Sequence, residues 1–536
     1  MTKDKKSSIQ QLRVLLIKGN FLKDEEIIKD LDKLKKFELD SSVPFKGVLY
    51  VKPQYTKPST WHKYIRPHIF GSTENIRKFD QLRNSSTAAV LLIDHKKRKF
   101  ALNFGYGRNL LKPESWERDF GLKVVLNRVD PESLRSVDCR TFEGLTLQTR
   151  RQTSRGSSLD TFGLNVTQDL LRQVTGTPNS AHKDFAKKMA GSDGLMLAVS
   201  IKFEQLAEKC DEMLAAYLDD EYKGRFEFID RLRIERDPAK LKALDTFLIE
   251  ALDKRETDGM HMAPPEPIDL HDLDGFTYTN RKNEEAHPDL DIDEYLQTLG
   301  EEKNITIDLL KRSRIGVRYL GSVQSDLRWT VYQCIVFETP YAGQSYTLTC
   351  GDWFEVEKAF VDRVNRRVKD LATGQFSLPD AKSKENEGDY NARTGKDQGF
   401  AVVDKKCPRI GGAPVEPCDL FMPSRQFVHV KKKTRSATLS HLFAQGTVSA
   451  DCFISDTDFR KAARDIVAKQ SVGQAKSIPD KRPIPSDFEV VYAIITKAAK
   501  NWPVSLPFFS RLNLMNAANH LEMLGFKVQL IRINVK

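Results

Sequence analysis

The C-terminal third of the chain constrains the fold most, because its hydrophobic period changes in a defined order. Apolar residues first recur at helical spacing in "VEKAFVDRVNRRVKDL". The patterns that follow are three strands, "GFAVVDK", "CDLFM" and "QFVHVKKK", then the helix "TLSHLFAQGTVSADCF", the strand "FEVVYAII", the helix "NLMNAANHLEML" and the strand "KVQLIRI". This alternation favours an α/β domain. The polar stretch 372–398 before the first of these strands is predicted to be a loop.

The rest of the chain shows two further patterns. Residues 1–150 contain helical spacing in "KDEEIIKDLDKLKKFEL" and strand patterns such as "GVLYVK", "FGLKVVLNRV" and the pair in "TAAVLLIDHKKRKFALNFGYG", which together predict an α+β domain. Residues 160–312 show helical spacing in "VTQDLLRQVTG", "FEQLAEKCDEMLAAYL" and "PAKLKALDTFLIEAL", which predicts a mainly helical middle domain with an acidic linker near 256–303. The last domain is predicted to span 313–536. The fold class expected is therefore α+β and multidomain.

Composition narrows the class of protein. A chain of 536 residues is too long for one hydrophobic core. Its formal net charge of +11 favours a polyanionic partner. Seven scattered cysteines without a C-x-x-C pair argue against a disulfide framework and a structural zinc site. The cysteines are therefore expected to be reduced thiols of a cytoplasmic protein. With no signal-peptide pattern and no run of about 18 apolar residues, we expect no membrane contact.

The stretch "EPCDLFMPSRQFVHVKKKT" holds the residues that best suit catalysis. Asp419 lies at the start of one strand pattern, and a turn precedes the next strand, which ends in Lys431. Because side chains alternate along a strand, His429 and Lys431 are expected on one face and Val428 and Val430 on the other. A carboxylate can bind Mg²⁺ or Mn²⁺, and an adjacent ammonium offsets charge on a phosphate. The pattern therefore predicts a metal-dependent phosphodiesterase site.

These residues resemble the PD-(D/E)xK phosphodiesterase superfamily, which has a restriction-endonuclease-like mixed sheet. Asp419 matches its first acid and Lys431 its lysine, over roughly residues 356–496. His429 departs from the pattern, because it occupies the position of the second acid. The resemblance implies that further acids complete the metal site.

The candidates for those further acids are Glu416, three residues before Asp419, and Glu355 or Glu357 before the preceding helix, where the family often has an acid. Gln445 is the closest match to the glutamine that often supports such sites. Each residue also has a purely structural interpretation, which stays open. Asp419 could cap a turn, and the lysines could be exposed charges that prevent pairing at a strand edge. His429 could be a buried structural residue, and Gln445 could lie on a helix surface.

Several cations are candidate contacts to nucleic acid. Lys432, Lys433 and Arg435 follow the strand that carries Lys431, and Arg108 lies in "NFGYGRNLL". That stretch lacks the complete glycine pattern of a nucleotide-binding loop, so a tight turn is the favoured interpretation. The basic clusters 96–99, 150–155 and 363–369 are further candidates, as are Trp61, Tyr106 and Trp116 for base stacking.

Over nearly its full length the chain resembles an uncharacterised, sporadically distributed bacterial family. The stretches that carry this resemblance are "FALNFGYGRNLL", "FGLKVVLNRVDPESLRSVD", "QTSRGSSLDTFGLN" and "VHVKKKTRSATLSHLFAQGTVSA". A patchy distribution suits genes of phage defence. The resulting hypothesis is a magnesium-dependent nuclease that acts on DNA rather than RNA; the alternative is a non-catalytic nucleic-acid-binding or sensing protein with a degenerate nuclease fold. Self-association and a partner from a defence system stay open.

Overall fold

The computed structural model describes the chain except for residues 1–8, 58–64, 67–71, 82–83, 143–145, 165–168, 258–259, 267, 269–272, 279–284, 301–303, 321–324, 375, 411–412, 434–435 and 498–499. The chain is mixed α+β, as predicted. It forms two compact units, one of residues 1–140 and 148–229 and the other of residues 141–147 and 230–536. The predicted helical middle domain does not form a unit of its own, because residues 160–229 belong to the first unit and later residues to the second.

A ten-stranded sheet forms the N-terminal unit. Its strands are β1 (Gln10–Leu16), β2 (Lys35–Glu38), β3 (Lys46–Lys57), β4 (Asn84–His95), β5 (Arg98–Gly105), β6 (Val129–Phe142), β7 (Thr146–Ser157), β8 (Asp169–Pro178), β9 (Lys188–Gly191) and β10 (Leu195–Val199). They lie in the order β2-β3-β4-β5-β1-β10-β9-β8-β6-β7. The helices of this unit are α1 (Asp24–Ile27), α2 (Thr73–Asp80), α3 (Phe120–Arg128), α4 (Leu206–Leu218) and α5 (Lys223–Phe226).

Two elements of this unit differ from the sequence prediction. The segment "FGLKVVLNRV", predicted as a strand, is helix α3, which is buried on nearly all sides and so lacks an exposed polar stripe. It approaches the sheet so closely that a Cβ on Gly121 would lie 2.0 Å from the backbone oxygen of Gly194. Conversely, "DLLRQVTGTP" is strand β8 rather than helix, since its Val and Thr residues pair with β9.

The C-terminal unit contains several smaller sheets. Its strands up to residue 356 are β11 (Leu232–Ile234), β12 (Met260–Met262), β13 (Leu273–Thr277), β14 (Arg314–Tyr319), β15 (Asp326–Thr330), β16 (Ile335–Tyr341), β17 (Gln344–Thr349) and β18 (Asp352–Val356). They form the antiparallel sheets β11-β18-β17-β16-β12 and β13-β14-β15. The helices are α6 (Pro238–Asp253), α7 (Ile292–Leu299), α8 (Ile307–Arg312) and α9 (Val331–Cys334). The predicted acidic linker thus contains β12, β13 and α7, which contribute Met260, Phe276 and Tyr295 to a core.

The region that follows, residues 357–536, contains the mixed sheet β19-β22-β23-β24-β25 and the short pair β20-β21. Its strands are β19 (Ala401–Val402), β20 (Arg409–Ile410), β21 (Ala413–Pro414), β22 (Leu420–Phe421), β23 (Gln426–Lys432), β24 (Glu489–Ile495) and β25 (Lys527–Ile533). The first three strands of the larger sheet are antiparallel, and β24 and β25 run parallel to β23. Its helices are α10 (Lys358–Leu371), α11 (Glu387–Gln398), α12 (Ser436–Ser455), α13 (Thr457–Ala468), α14 (Val472–Ala475) and α15 (Phe508–Met523).

Helix α10 buries the four residues of the predicted stripe, Phe360, Val364, Val368 and Leu371. The expectation of a loop over 372–398 was wrong in its last part, since residues 387–398 form α11. Asn386 caps this helix by accepting a hydrogen bond from the backbone N–H of Asp389. Among the described residues, no helix combines the length and low charge that crossing a bilayer requires.

Candidate functional site

Three carboxylates converge at the edge of the mixed sheet. Asp404 follows β19, and Glu416 and Asp419 precede β22. One oxygen of each lies within 4.8 Å of an oxygen of the other two. Asp404, Glu416 and Asp419 are called the carboxylate cluster below. The sequence prediction contained Glu416 and Asp419 but not Asp404.

Strand pairing sets this geometry. Strands β19 and β22 are antiparallel neighbours, with Ala401 opposite Phe421. Beyond the paired residues, the backbone oxygen of Asp419 accepts hydrogen bonds from the N–H groups of Val403, at 2.8 Å, and Asp404, at 3.1 Å. The two acids are therefore held together by backbone contacts, which do not depend on their side chains.

Asp419 is 8% exposed, and both of its carboxylate oxygens accept hydrogen bonds. The backbone N–H of Val430 donates to Oδ2 at 2.7 Å, and the side-chain amide of Asn391 donates to Oδ1 at 3.2 Å. Burial raises the pKa of Asp419 to about 8; the Val430 hydrogen bond opposes this rise, and the charges of Glu416 and Asp404 add to it. The described contacts of Asp419 therefore leave its negative charge poorly compensated.

Glu416 is held on both sides. The backbone N–H of Lys405 donates to its Oε1, and the side-chain amide of Gln445, on α12, donates to its Oε2 at 3.3 Å. Burial raises the pKa of this carboxyl, and the neighbouring charge of Asp404 raises it further. Gln445 therefore contacts the cluster, at the position that the sequence pattern indicated.

Lys431 lies beside the cluster but is bound to a different acid. Its Nζ donates to Glu387 Oε2 at 2.9 Å, and the backbone N–H of Lys432 donates to Glu387 Oε1 at 2.9 Å. Its positive charge lowers the pKa of Asp419 and of Glu416, although burial outweighs this effect at both. Glu387, the first residue of α11, thus holds the end of β23 against that helix.

Asn391 lies one turn after Glu387 on α11 and is fully buried. Its amide nitrogen donates to Asp419, whereas its Oδ1 has no hydrogen-bond partner among the described residues. A buried amide oxygen without a donor costs free energy. A cation bound near Asp419 and within reach of this oxygen would remove that cost.

His429 is a buried residue and does not line the cluster. It is 1% exposed, its Nε2 lies 3.5 Å from Ser449 Oγ on α12, and burial lowers its pKa to about 4. Side chains do alternate on β23 as predicted, since Val428 and Val430 belong to the core on the opposite side. The expectation that the His429 face meets a ligand was wrong at this residue, because α12 covers it.

The other candidate acids lie elsewhere. Tyr346 donates a hydrogen bond to Glu355, and Lys240 Nζ lies 3.7 Å from it. Glu357 is the N-cap of α10. Neither belongs to the carboxylate cluster. The helix that directly precedes β19 is α11, not α10, and Glu387 is its first residue.

The candidate nucleic-acid cations are partly committed to internal contacts. Arg108 is paired with the buried Asp193 at 2.6 Å and packs over the ring of Trp116, which is itself 3% exposed and unable to stack on a base. Lys432 Nζ donates to the backbone oxygen of Glu385 at 3.2 Å. Lys433 follows β23 and is half-buried. Arg435 and Trp61 lie outside the described residues.

Three residues of the site were missed: Asp404, Glu387 and Asn391. Asp404 ends the pattern "GFAVVD", and Glu387 and Asn391 are four residues apart in "NEGDYNARTG". The sequence signal that could have identified α11, and with it Glu387 and Asn391, is the N-cap Asn386 followed by acids in the first turn, which is typical of a helix start. It is weak here because Gly388 and Gly395 lower the helical propensity of the segment.

The described side chains that could coordinate a cation at this site are the three carboxylates of the cluster. This all-oxygen set, with no cysteine or accessible imidazole, fits hard divalent cations such as Mg²⁺ and Mn²⁺ better than zinc. Such a cation would favour the ionised form of Asp419, whose pKa is raised mainly by burial.

A comparison with protein families places the whole chain. The model of a family of unknown function, DUF6119, matches residues 12–534. The chain belongs to the DUF6119 family. The predicted full-length membership of an uncharacterised family is thereby confirmed. Comparisons of this DUF6119 protein with curated proteins and with solved structures gave no match, and they lend no support to the PD-(D/E)xK resemblance.

Proposed function

We propose that this DUF6119 protein is a divalent-metal-dependent nuclease that cleaves DNA. The observation that carries the proposal is the convergence of Asp404, Glu416 and Asp419 beside Lys431. Three clustered acids at a half-buried edge have a high electrostatic cost, which a bound cation offsets. A neighbouring ammonium suits a phosphodiester substrate, since it adds positive charge where the phosphate gains negative charge.

The order of elements also supports the proposal. Helix α11, strands β19, β22 and β23, helix α12 and strand β24 occur in the order of the PD-(D/E)xK core, with the short pair β20-β21 inserted before β22 and helices α13 and α14 inserted before β24. Glu387, Lys431 and Gln445 lie on the first helix, third strand and second helix of that order, and Asp419 immediately precedes the second strand. The buried His429 supplies no carboxylate at the usual position of the second acid, and Glu416 and Asp404 would supply it from neighbouring segments.

In the proposed site the chain's residues have separate roles. Asp404, Glu416 and Asp419 would hold the cation, which when bound would neutralise phosphate charge and lower the pKa of a water molecule. Asn391 fixes the Asp419 carboxylate and Gln445 fixes that of Glu416. Glu387 orients the Lys431 ammonium. A scissile phosphate would lie between the cluster and Lys431.

The test is cleavage of supercoiled plasmid with Mg²⁺ or Mn²⁺, compared between the wild type, Asp419→Asn and Lys431→Ala. We expect at least about 100-fold slower cleavage in each variant, since each would lose a charged group from the site. The matched controls are Asp397→Asn and Lys396→Ala on the exposed face of α11. Equal cleavage by Asp419→Asn and its control would remove the assignment.

The non-catalytic alternative gives a different result. A degenerate nuclease fold would bind DNA without cleaving it under any metal condition. The observation that favours this alternative is His429, which is buried at the position of the second acid. Calorimetric titration with Mn²⁺ separates the two cases, because an active site should bind the metal in the wild type and bind it far more weakly in Asp419→Asn.

A further inference from the structure

A polar recess lies on the ten-stranded sheet of the N-terminal unit, in residues that the proposed catalytic site does not use. Its volume is about 510 Å³, and strands β6, β7, β8 and β9 contribute to its lining. Four of the ten lining residues are cations, namely Arg135, Arg150, Lys187 and Lys188, and six are Ser, Thr or Gln. No lining residue is acidic, aromatic or aliphatic. We call this concavity the basic recess.

Alternation along β8 builds part of its floor. Gln173, Thr175 and Thr177 are two residues apart and therefore share one face of the strand. Val174 lies between them and belongs to the core on the other face. A sheet covered by apolar residues on one side thus presents a row of hydroxyl and amide groups on the other.

These polar groups have few internal partners. In the described part of the chain, the side chains of Gln173, Thr175 and Thr177 make no hydrogen bond, and neither Lys187 nor Lys188, both exposed, makes an ion pair. Charges on exposed loops are commonly only solvated. A concave surface that combines unpaired cations with unpaired amides and hydroxyls, and excludes acids, is better explained by a ligand.

The two arginines are held in place by neighbours outside the lining. Asp138 accepts two hydrogen bonds from Arg150, at 2.8 and 2.6 Å, which neutralises part of its charge and fixes its plane. The guanidinium of Arg135 donates to the backbone oxygen of Ser154 at 2.7 Å. Both groups therefore lose less conformational entropy on binding than free side chains would.

We propose that the basic recess binds the phosphodiester backbone of double-stranded DNA. Arg, Lys, Ser, Thr and Gln are the side chains that contact phosphate oxygens without reading the base sequence. A single strand is bound largely by stacking of its bases on aromatic rings, and the recess has none. Its size exceeds that of one phosphate group, which favours a polymer. The choice of DNA over RNA rests on the proposed function.

The test is binding of a fluorescent 30-base-pair DNA duplex in EDTA, measured by anisotropy. The variant Lys187→Glu/Lys188→Glu should bind at least about tenfold more weakly than the wild type, and the slope of log affinity against log salt should fall by about 2. The matched control is Lys35→Glu/Lys46→Glu, on β2 and β3 towards the opposite edge of the same sheet, which makes the same change in net charge. Thermal denaturation of both variants verifies that they fold.

An equal loss of binding in the control variant, or no loss in the recess variant, would overturn the proposal. Competition with a single strand of the same sequence tests the form of the ligand: tighter binding of the single strand would contradict it. Tighter binding of an RNA duplex would contradict the choice of DNA.

The result is independent of catalysis. Binding is measured in EDTA, where metal-dependent cleavage cannot occur, and neither Lys187 nor Lys188 belongs to the proposed catalytic site. If the recess variant loses binding and no plasmid is ever cleaved, the recess stands and the nuclease proposal fails. If cleavage depends on Asp419 but the recess variant binds the duplex normally, the nuclease proposal stands and the recess proposal fails.

Discussion

The basic recess and the carboxylate cluster are opposites in charge and in solvation. The recess exposes its lysines to water, and none of its lining residues is acidic. The cluster brings three acids together at a half-buried edge, where burial raises the pKa of Asp419 and of Glu416. Solvated cations cost the fold little free energy, and the affinity of their ligands depends on ionic strength. Buried acids destabilise the fold, and both the stability and the ligand affinity that depend on them change with pH. These two dependences should therefore separate the regions in solution.

Ionic strength should produce the largest difference. If the recess makes about four cation–phosphate contacts, raising NaCl from about 50 to about 200 mM should weaken duplex binding about 100-fold. Mn²⁺ binding at the cluster should change less than about tenfold over the same range, because buried charges are screened less. Anisotropy and calorimetry measure the two affinities. Equal salt dependence would mean that the regions do not differ as described.

Removing the buried charge should stabilise the protein at high pH. The pKa of Asp419 is raised from 3.8 to about 8, with burial as the main cause. Between these values the folded chain keeps a proton that the unfolded chain releases, so the free energy of unfolding falls as the pH rises.

Without metal, Asp419→Asn should therefore be more stable than the wild type by about 2 kcal/mol at about pH 8, and no more stable at about pH 4. Urea denaturation at both pH values measures this difference. The exposed Asp397→Asn should show no such pH-dependent gain. A loss of stability at pH 8 would contradict an uncompensated charge at Asp419.

Metal affinity should follow the same titration. A cation must displace the proton that Asp419 retains below about pH 8, so Mn²⁺ should bind about tenfold more weakly at pH 6.5 than at pH 7.5. Duplex binding in EDTA should be nearly unchanged over this range, because neither histidine nor carboxylate lines the basic recess. A steeper pH dependence at the recess than at the cluster would reverse the comparison.

The smallest effect is expected at Gln445. Its amide donates to Glu416 at 3.3 Å, a long and single hydrogen bond. Gln445→Ala should weaken Mn²⁺ binding about threefold, equivalent to less than about 1 kcal/mol. Val448→Ala, which alters an exposed residue of the same helix, serves as the control. A loss as large as that of Asp419→Asn would make Gln445 a ligand rather than a support.

Sequence patterns predicted the elements that show a clear helical stripe or a run rich in β-branched and aromatic residues. Helix α10 buries the predicted stripe of four apolar residues, and the runs in β24 and β25 form strands as expected. Helix α3 was mistaken for a strand because it is buried on nearly every side and shows no helical period. Helix α11 was mistaken for a loop because two glycines interrupt a polar segment. Its acid, Glu387, was therefore missed.

The residues of the candidate site were likewise predicted only where they lie close together in the sequence. Local sequence identified Glu416, Asp419, Lys431 and Gln445, since they lie in or beside one strand–turn–strand–helix segment. It did not identify Asp404, Asn391 or Glu387, because their contacts to the site span 15 to 45 residues of chain. Glu355 and Glu357 were nominated by proximity to the wrong helix.

The sequence by itself determined the α+β composition, the alternation of faces along β23 and the membership of a full-length family, because these depend on residues that are neighbours in the chain. Only the tertiary structure decided which acids share one volume, which residue holds Lys431, and that His429 is covered by α12. The physical reason is that electrostatic interaction and burial depend on distance in space, and the pairing of strands distant in sequence sets that distance.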